Sequence, residues 1–274
     1  MKTMPAGTAP DRKIAPPLFE FANVSVIRGD KRVLDGITLS LGEGENVAIL
    51  GPNGAGKSSL VKTITREYYP VLSEAPVTFR VRGKDVWDVF DLRSFVGIVS
   101  NDLQYTFNRT ITGREVILSG FFSSIGLFNR VTTPAMEEKT HEILRFLHID
   151  HLKDRPMNEM SSGEARRFLI GRALVFDPAT LILDEPTNSL DLSALHTFRQ
   201  TLRTIAQSGT GIILVTHHLH DIIPEISRVV MMNDGRICGD GKKPQMLTDE
   251  TVSRLFAVPV HVKEENGWYY ATGY

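Results

Sequence analysis

A single cysteine, Cys238, occurs in this 274-residue chain. It excludes an internal disulfide and a Cys-rich zinc site, and it fits a reducing compartment. An excess of one charge is also missing: 31 Lys and Arg stand against 32 Asp and Glu, for a net charge of −1. No global basic field therefore draws in nucleic acid or anionic lipid. No run approaches the roughly 18 apolar residues of a membrane-spanning helix. Residues Met1 to Pro17 are rich in Pro, Ala and Thr and have no apolar centre. They read as a flexible tail and not as a secretory leader. A membrane role would therefore need a partner. What remains is ordinary globular composition, 42% hydrophobic and 23% charged. The chain is long enough for a substantial core, in one two-lobed domain or two small ones.

Against that background one motif stands out. Gly51, Pro52, Asn53, Gly54, Ala55, Gly56, Lys57 and Ser58 match G-x-x-x-x-G-K-[ST]. An apolar run, Val47 to Leu50, precedes the motif, and a helix-favouring stretch from Ser59 to Lys62 follows it. Strand, glycine loop and helix together build a phosphate cradle. Glycines let successive N–H groups point inward, and the helix adds its positive N-terminal end. Lys57 can reach the β- and γ-phosphates, and Ser58 offers a hydroxyl to Mg²⁺.

A second cluster lies at Leu181 to Pro186, where an apolar strand ends in Asp184 and Glu185. Nucleotide chemistry needs one carboxylate to hold Mg²⁺ and another to orient and deprotonate water. Asp184 suits the first role and Glu185 the second; helix capping is the alternative. A third motif is Ser161, Ser162, Gly163 and Glu164. Ser161 and Glu164 have the spacing of a capping box, and the same N–H groups and hydroxyls also suit an anion. Both readings stand on the residues alone.

Strand-like and helix-like segments alternate along the chain. Leu18–Ile27 and Val33–Leu41 read as strands joined by a turn at Arg28–Lys31, and Val77–Val81 reads as an edge strand. Further strands are expected at Phe95–Val99, Thr180–Leu183, Gly211–Thr216, Arg228–Met232 and Arg236–Cys238. Helices are expected at Thr112–Gly120, Thr133–Ile149, Glu164–Phe176 and Ser193–Gln207. That alternation predicts an α/β fold with a mainly parallel sheet. Asn233-Asp234-Gly235 and Asn266-Gly267 are hairpin signals.

The order and spacing of these motifs, with Ser189-Leu190-Asp191 and Val215-Thr216-His217 further on, resemble an ABC-type ATPase over about residues 18–258. In that family they correspond to the Walker A loop, the signature, Walker B, the D-loop and the switch histidine. The resemblance implies a P-loop NTPase core, an N-terminal antiparallel β subdomain and an inserted helical subdomain, here about residues 104–176. Residues 259–274 are expected to add a C-terminal β-hairpin. It also implies a head-to-tail homodimer with ATP and Mg²⁺ between the copies. Ser161, Ser162, Gly163 and Glu164 of one copy would then close over ATP held by the other. Glu185 and His217 would be catalytic, and Asp191 would link the two sites.

Three positions depart from the family pattern. The signature reads Ser-Ser-Gly-Glu where Ser-Gly-Gly-Gln is common. Asn101 stands where a glutamine is usual, which leaves Gln104 as the expected Mg²⁺ contact beside Ser58 and Asp184. Arg28 stands where an aromatic ring stacks on adenine; it either stacks in its place or faces solvent. The stretch from Thr112 to Phe128, with the shifted glutamine, is similar to molybdenum and iron-complex transport ATPases. Its apolar residues Phe121, Phe122, Ile125, Leu127 and Phe128 either pack a core or line a groove for a partner's coupling helix.

The resemblance implies a subunit that energises a transporter, held by an integral membrane partner on the cytoplasmic face. The subgroup favours import of a metal complex or oxyanion. The alternative is a soluble ABC ATPase in regulation, repair or ribosome function. Only one phosphate loop is present, and about 110 positions separate Gly51 from Ser161, too few for a coiled-coil arm. Nucleic acid is not an expected partner.

Overall fold

The computed structural model describes residues 16–100, 103, 106–107 and 110–273. Gln104, Asn101 and most of the expected N-terminal tail lie outside them. The centre is a six-stranded sheet in the order β5-β6-β7-β3-β8-β9. These strands are β3 (Val47–Leu50), β5 (Val96–Ser100), β6 (Thr180–Asp184), β7 (Gly211–Thr216), β8 (Arg228–Asn233) and β9 (Arg236–Lys242). All neighbours are parallel except β8 and β9. β3, β6 and β7 are buried along their whole length. That explains their unbroken apolar sequences, since a parallel sheet is covered on both faces.

One face carries a second, antiparallel sheet in the order β2-β1-β4, formed by β1 (Phe19–Arg28), β2 (Lys31–Leu41) and β4 (Thr78–Val81). Phe19, Phe21 and Leu34 from this sheet pack with Ile49, Val215 and Leu60 of the core. The other face carries helices, where Phe168, Phe198 and Leu202 meet Leu183 and Leu214. Among the described residues the named helices are α1 (Lys57–Ile64), α2 (Val89–Arg93), α3 (Gly113–Ser119), α4 (Pro134–Phe146), α5 (Ser162–Ala173), α6 (Leu192–Gln207), α7 (Lys243–Met246) and α8 (Asp249–Phe256). α3, α4 and α5 share one apolar cluster. α3 comes so close to α5 that a Cβ on Gly113 would stand 2.3 Å from the Phe168 ring.

Several boundaries differ from the sequence expectation. α4 stops at Phe146, three residues early, and His148 then takes a left-handed φ of 55°. α5 begins at Ser162 because Ser161 is its N-cap; Glu164 lies inside the first turn. β9 continues four residues past Cys238. Gly239 and Gly241 disguise it, and they are there because the α7 residue Met246 lies against the strand; a Cβ on Gly239 would be 2.4 Å from its Cε. α2, α7 and α8 had no counterpart in the sequence reading.

β10 (His261–Glu265) and β11 (Trp268–Thr272) pair about Asn266 and Gly267. Both turn residues have positive φ, 53° and 81°, as a primed two-residue turn requires. This hairpin packs on its own chain. Tyr269 is buried, and the Arg199 guanidinium sits 5.1 Å from the Trp268 ring. The buried Lys243 ammonium donates to the carbonyls of Ile223 and Pro224 at 3.1 Å and of Gly267 at 3.2 Å. Burial holds its pKa below the usual lysine value, against the opposing pull of Glu225 and Glu264.

Removing that ammonium would leave three carbonyls short of a donor. Lys243→Met is expected to lower stability by about 1–3 kcal/mol, while the exposed Lys242→Met stays within about 0.5 kcal/mol. Chemical denaturation of both variants is the check.

Candidate nucleotide site

The site forms where β3, β6 and β7 end together. Leu50 is in register with Thr216, and Asp184 with Val215. Each strand therefore delivers its next residues to one edge. That is the edge at which open parallel sheets place ligands.

From β3 the chain turns through the glycine loop into α1. A Cβ on Gly51 would fall 2.1 Å from the Met232 carbonyl oxygen, so the loop is pressed against the end of β8. Gly56 has φ 97° and caps α1 with no side-chain hydrogen bond. No acidic residue occupies the first turn either. The N-terminus of α1 is thus left without an internal anion, which suits a phosphate.

The side chains converge as follows. Lys57 is 3% exposed and donates to the carbonyls of Gly51 and Pro52, both at 2.9 Å. Its ammonium also lies 3.4 Å from Glu185 Oε1. Burial lowers its pKa, and Glu185 resists that change. Ser58 Oγ donates to Asp184 Oδ1 at 3.1 Å. Burial pushes the Asp184 carboxyl up to about 6, with the neighbouring Glu185 adding to the rise and the Ser58 hydroxyl and Lys57 opposing it. Burial also acts to raise Glu185, but the Asn188 amide, Lys57 and His217 outweigh it and hold the carboxyl below its usual range. Asn188 Nδ2 donates to Glu185 Oε2 at 2.9 Å. His217 Nδ1 is 3.4 Å from Glu185 Oε1, within ion-pair range but without hydrogen-bond geometry.

A cavity of about 310 Å³ opens over Gly54, Gly56, Lys57, Ser58, Ser59 and Glu185. Its rim includes Lys31, Arg32, Asp234 and Gly235. The sequence reading missed these rim residues. The Asn233–Gly235 hairpin signal was visible, but nothing local tied it to the loop; the tie is a long-range bond from Gly235 N–H to the Ala55 carbonyl at 3.0 Å. Arg28 does not line this cavity. It hydrogen-bonds the Tyr68 hydroxyl, with its guanidinium 5.3 Å from the ring centre.

Ser161 and Glu164 form a complete capping box at α5. Serine N–H and Oγ both donate to Glu164 Oε2 at 2.8 Å. Ser162 Oγ donates to the Ser189 carbonyl at 3.3 Å, and a Cβ on Gly163 would lie 2.8 Å from Ala194 Cβ. Asp191 caps α6 by accepting from the Ala194 N–H at 2.7 Å. The signature and the D-loop thus pack on each other within the chain. Neither lines the cavity over the glycine loop. His218, read as unremarkable from sequence, sits between His217 and His220 at ring distances of 3.9 and 4.8 Å.

The apolar stretch of the helical lobe is partly buried and partly exposed. Phe121 packs into the core and meets the Phe176 ring edge-on at 5.6 Å. Ile125 and Phe128 are exposed. A cavity of about 620 Å³ lies between the lobes, with Asp184 and Glu185 on one wall and Arg172 and Phe176 on the other.

The Ser58 hydroxyl and the Asp184 carboxylate are hard oxygen donors, and among the described residues the buried carboxylate has only that hydroxyl as its hydrogen-bond partner. That pair fits Mg²⁺. Magnesium there would neutralise charge on the phosphates. Among the described residues no cluster of three or more His, Cys, Asp or Glu offers a second, all-protein metal site.

Fold and site together define a P-loop ATPase with a capped helical lobe. The family model for ABC transporters matches residues 34–188, and the chain belongs to that family of ATP-binding proteins. An uncharacterised ABC transporter ATP-binding protein of Bacillus subtilis, YlmA, is 36% identical over 89% of this chain and 93% of its own. The hemin import ATP-binding protein HmuV of Aliivibrio fischeri is 31% identical over 85% and 88%. CbiO1 of Clostridium perfringens, part of the transporter complex CbiONQ, superposes with a TM-score of 0.70 at 27% identity over 87% and 94%. This chain is an ATP-hydrolysing subunit of the ABC class.

Lys57→Ala removes the buried cation expected to meet phosphate. Nucleotide affinity is expected to fall by about 100-fold or more, given the roughly 1.4 kcal/mol per tenfold of a desolvated charge contact worth several kcal/mol. Titration with a fluorescent ATP analogue measures it; unchanged affinity would overturn the phosphate-loop assignment.

Proposed function

We propose that this protein energises a transporter through ATP-driven, head-to-tail pairing of two copies, and that the transporter imports a metal complex or oxyanion. One observation carries the pairing. The cavity over Lys57 and Ser58 is lined by no residue of 160–164, while the α5 N-terminus that carries Ser161 and Gly163 faces the chain's own D-loop. A second copy can bring that N-terminus to the γ-phosphate, in the place of an arginine finger.

Within each half-site Glu185 accepts the proton of the attacking water. It is held ionised and fixed by Asn188 on one oxygen and by Lys57 and His217 near the other. Lys57 leaves the Gly51 and Pro52 carbonyls for the phosphates. His217 orients the water and the γ-phosphate, and Asp191 communicates between the sites. Ser58, Asp184 and Gln104 would hold Mg²⁺, which would neutralise charge on the phosphates. Arg28 meets the base once it turns from Tyr68.

No helix among the described residues is long and apolar enough to cross a membrane. A transport role therefore needs an integral partner, with this chain on its cytoplasmic side. The exposed Ile125 and Phe128 and the cavity between the lobes suit a partner's coupling helix. The likeness to HmuV and the reading of residues 112–128 support import of a metal complex.

Glu185→Gln keeps nucleotide binding and removes the base. With ATP and Mg²⁺ it is expected to accumulate as a dimer by light scattering, and a persistent monomer would count against the sandwich. Affinity purification from solubilised membranes should recover an integral membrane protein. Recovery of none, with ATPase activity intact, would favour a soluble ABC ATPase.

A further inference from the structure

The chemistry above leaves one buried carboxylate unused. Asp221 is 1% exposed and sits in the short turn Leu219–Asp221 that follows His217 and His218. Its Oδ2 accepts hydrogen bonds from Thr187 Oγ1 at 2.7 Å and from Thr216 Oγ1 at 2.5 Å. The Thr216 hydroxyl oxygen in turn accepts from the His218 N–H at 3.0 Å. The Asp221 N–H donates back to the His218 carbonyl at 3.3 Å.

The positions of those two threonines matter. Thr187 follows Glu185 by two residues, and Thr216 directly precedes His217. One carboxylate oxygen therefore ties the segment carrying the base to the segment carrying the switch histidine. A hydrogen bond from Glu185 N–H to the Val215 carbonyl, at 2.9 Å, braces the same pair of segments from the backbone. Both hydroxyls sit on β-branched side chains with restricted χ1, so the bonds fix direction as well as distance. Glu185 has a left-handed φ of 48°, a conformation that persists only where its surroundings enforce it.

The turn is itself backed from outside. The Leu219–Asp221 turn packs against β11, and Lys243 pins the carbonyls of Ile223 and Pro224 that follow. His220 Nε2 stands 3.5 Å from the other oxygen, Oδ1. Asp221 is therefore held between the C-terminal hairpin and the two catalytic segments.

We propose that Asp221 is a positioning residue for ATP hydrolysis. Acting through Thr187 and Thr216, it sets the separation of Glu185 from His217, now 3.4 Å at Nδ1. It lines neither the cavity over the glycine loop nor the one between the lobes. The inference rests on the reading of Glu185 and His217 as the hydrolytic pair.

Thr187→Val and Thr216→Val delete the hydroxyls at nearly constant shape, and Thr187→Ser and Thr216→Ser restore them. Asp221→Asn weakens the acceptor. Each valine variant, and Asp221→Asn, should lose about tenfold or more in kcat, because misplacement of reacting groups by about 1 Å can cost about 100-fold. Nucleotide affinity should stay within about twofold, since the loss is confined to the transition state. The serine variants should recover kcat to within a few-fold. If Asp221→Asn does not fold, the threonine series carries the test, with circular dichroism establishing folding. Wild-type kcat in folded valine variants, equal losses in kcat and affinity, or serine variants as slow as valine would each overturn the inference. Glu185→Gln run alongside separates the two readings. An active Glu185→Gln overturns the base assignment, whereas an inactive one beside fully active valine variants overturns only the role of Asp221.

Discussion

The in-register ending of β3, β6 and β7 is the constraint on which the site depends. Leu50 pairs with Thr216 and Asp184 with Val215, so three different loops leave the sheet at one level. A parallel register slip of one residue would turn each strand's buried set to the opposite face. Here both faces are covered by apolar clusters, one against β1 and β2 and one against α5 and α6. The two cores thereby hold Lys57, Glu185 and His217 within a few ångströms of one another.

Much of this was legible because the motifs are local. The glycine loop, the acid pair after an apolar strand, and the Ser161–Glu164 capping box each show their structure within eight residues. The α/β alternation followed from the same periodicities. What escaped the sequence was held by contacts across long separations. The rim at Asp234 and Gly235 meets the loop through Ala55, about 180 residues away in sequence. The last residues of β9 were hidden by glycines whose reason is Met246. The placing of His218 between the His217 and His220 rings was not visible either, because it depends on the turn that follows β7. The hairpin at 261–272 was signalled by Asn266-Gly267, but its docking on Arg199 and Lys243 was not.

The N-termini of α1 and α5, which the proposed pairing would bring to one phosphate, are prepared differently. α1 has glycine at its cap and no acid in its first turn. α5 has a full capping box, whose Glu164 accepts from Ser161 and is held below its usual pKa, burial opposing and the Ser161 hydrogen bonds prevailing. An uncapped terminus is stabilised most by a ligand it holds throughout the cycle. A capped one is stable alone and gains less from each encounter, which suits a surface that must also let go.

The acid pair shows how the site divides labour between neighbours. Asp184 and Glu185 are adjacent in sequence, yet their environments push them apart. Asp184 ends a fully buried strand, and burial raises it to about 6. Glu185 leaves the strand with a left-handed backbone, which swings its carboxylate toward Asn188, Lys57 and His217 and keeps it ionised. A carboxylate with a raised pKa and few donors favours a cation beside it; one already neutralised by donors is held ready to take a proton.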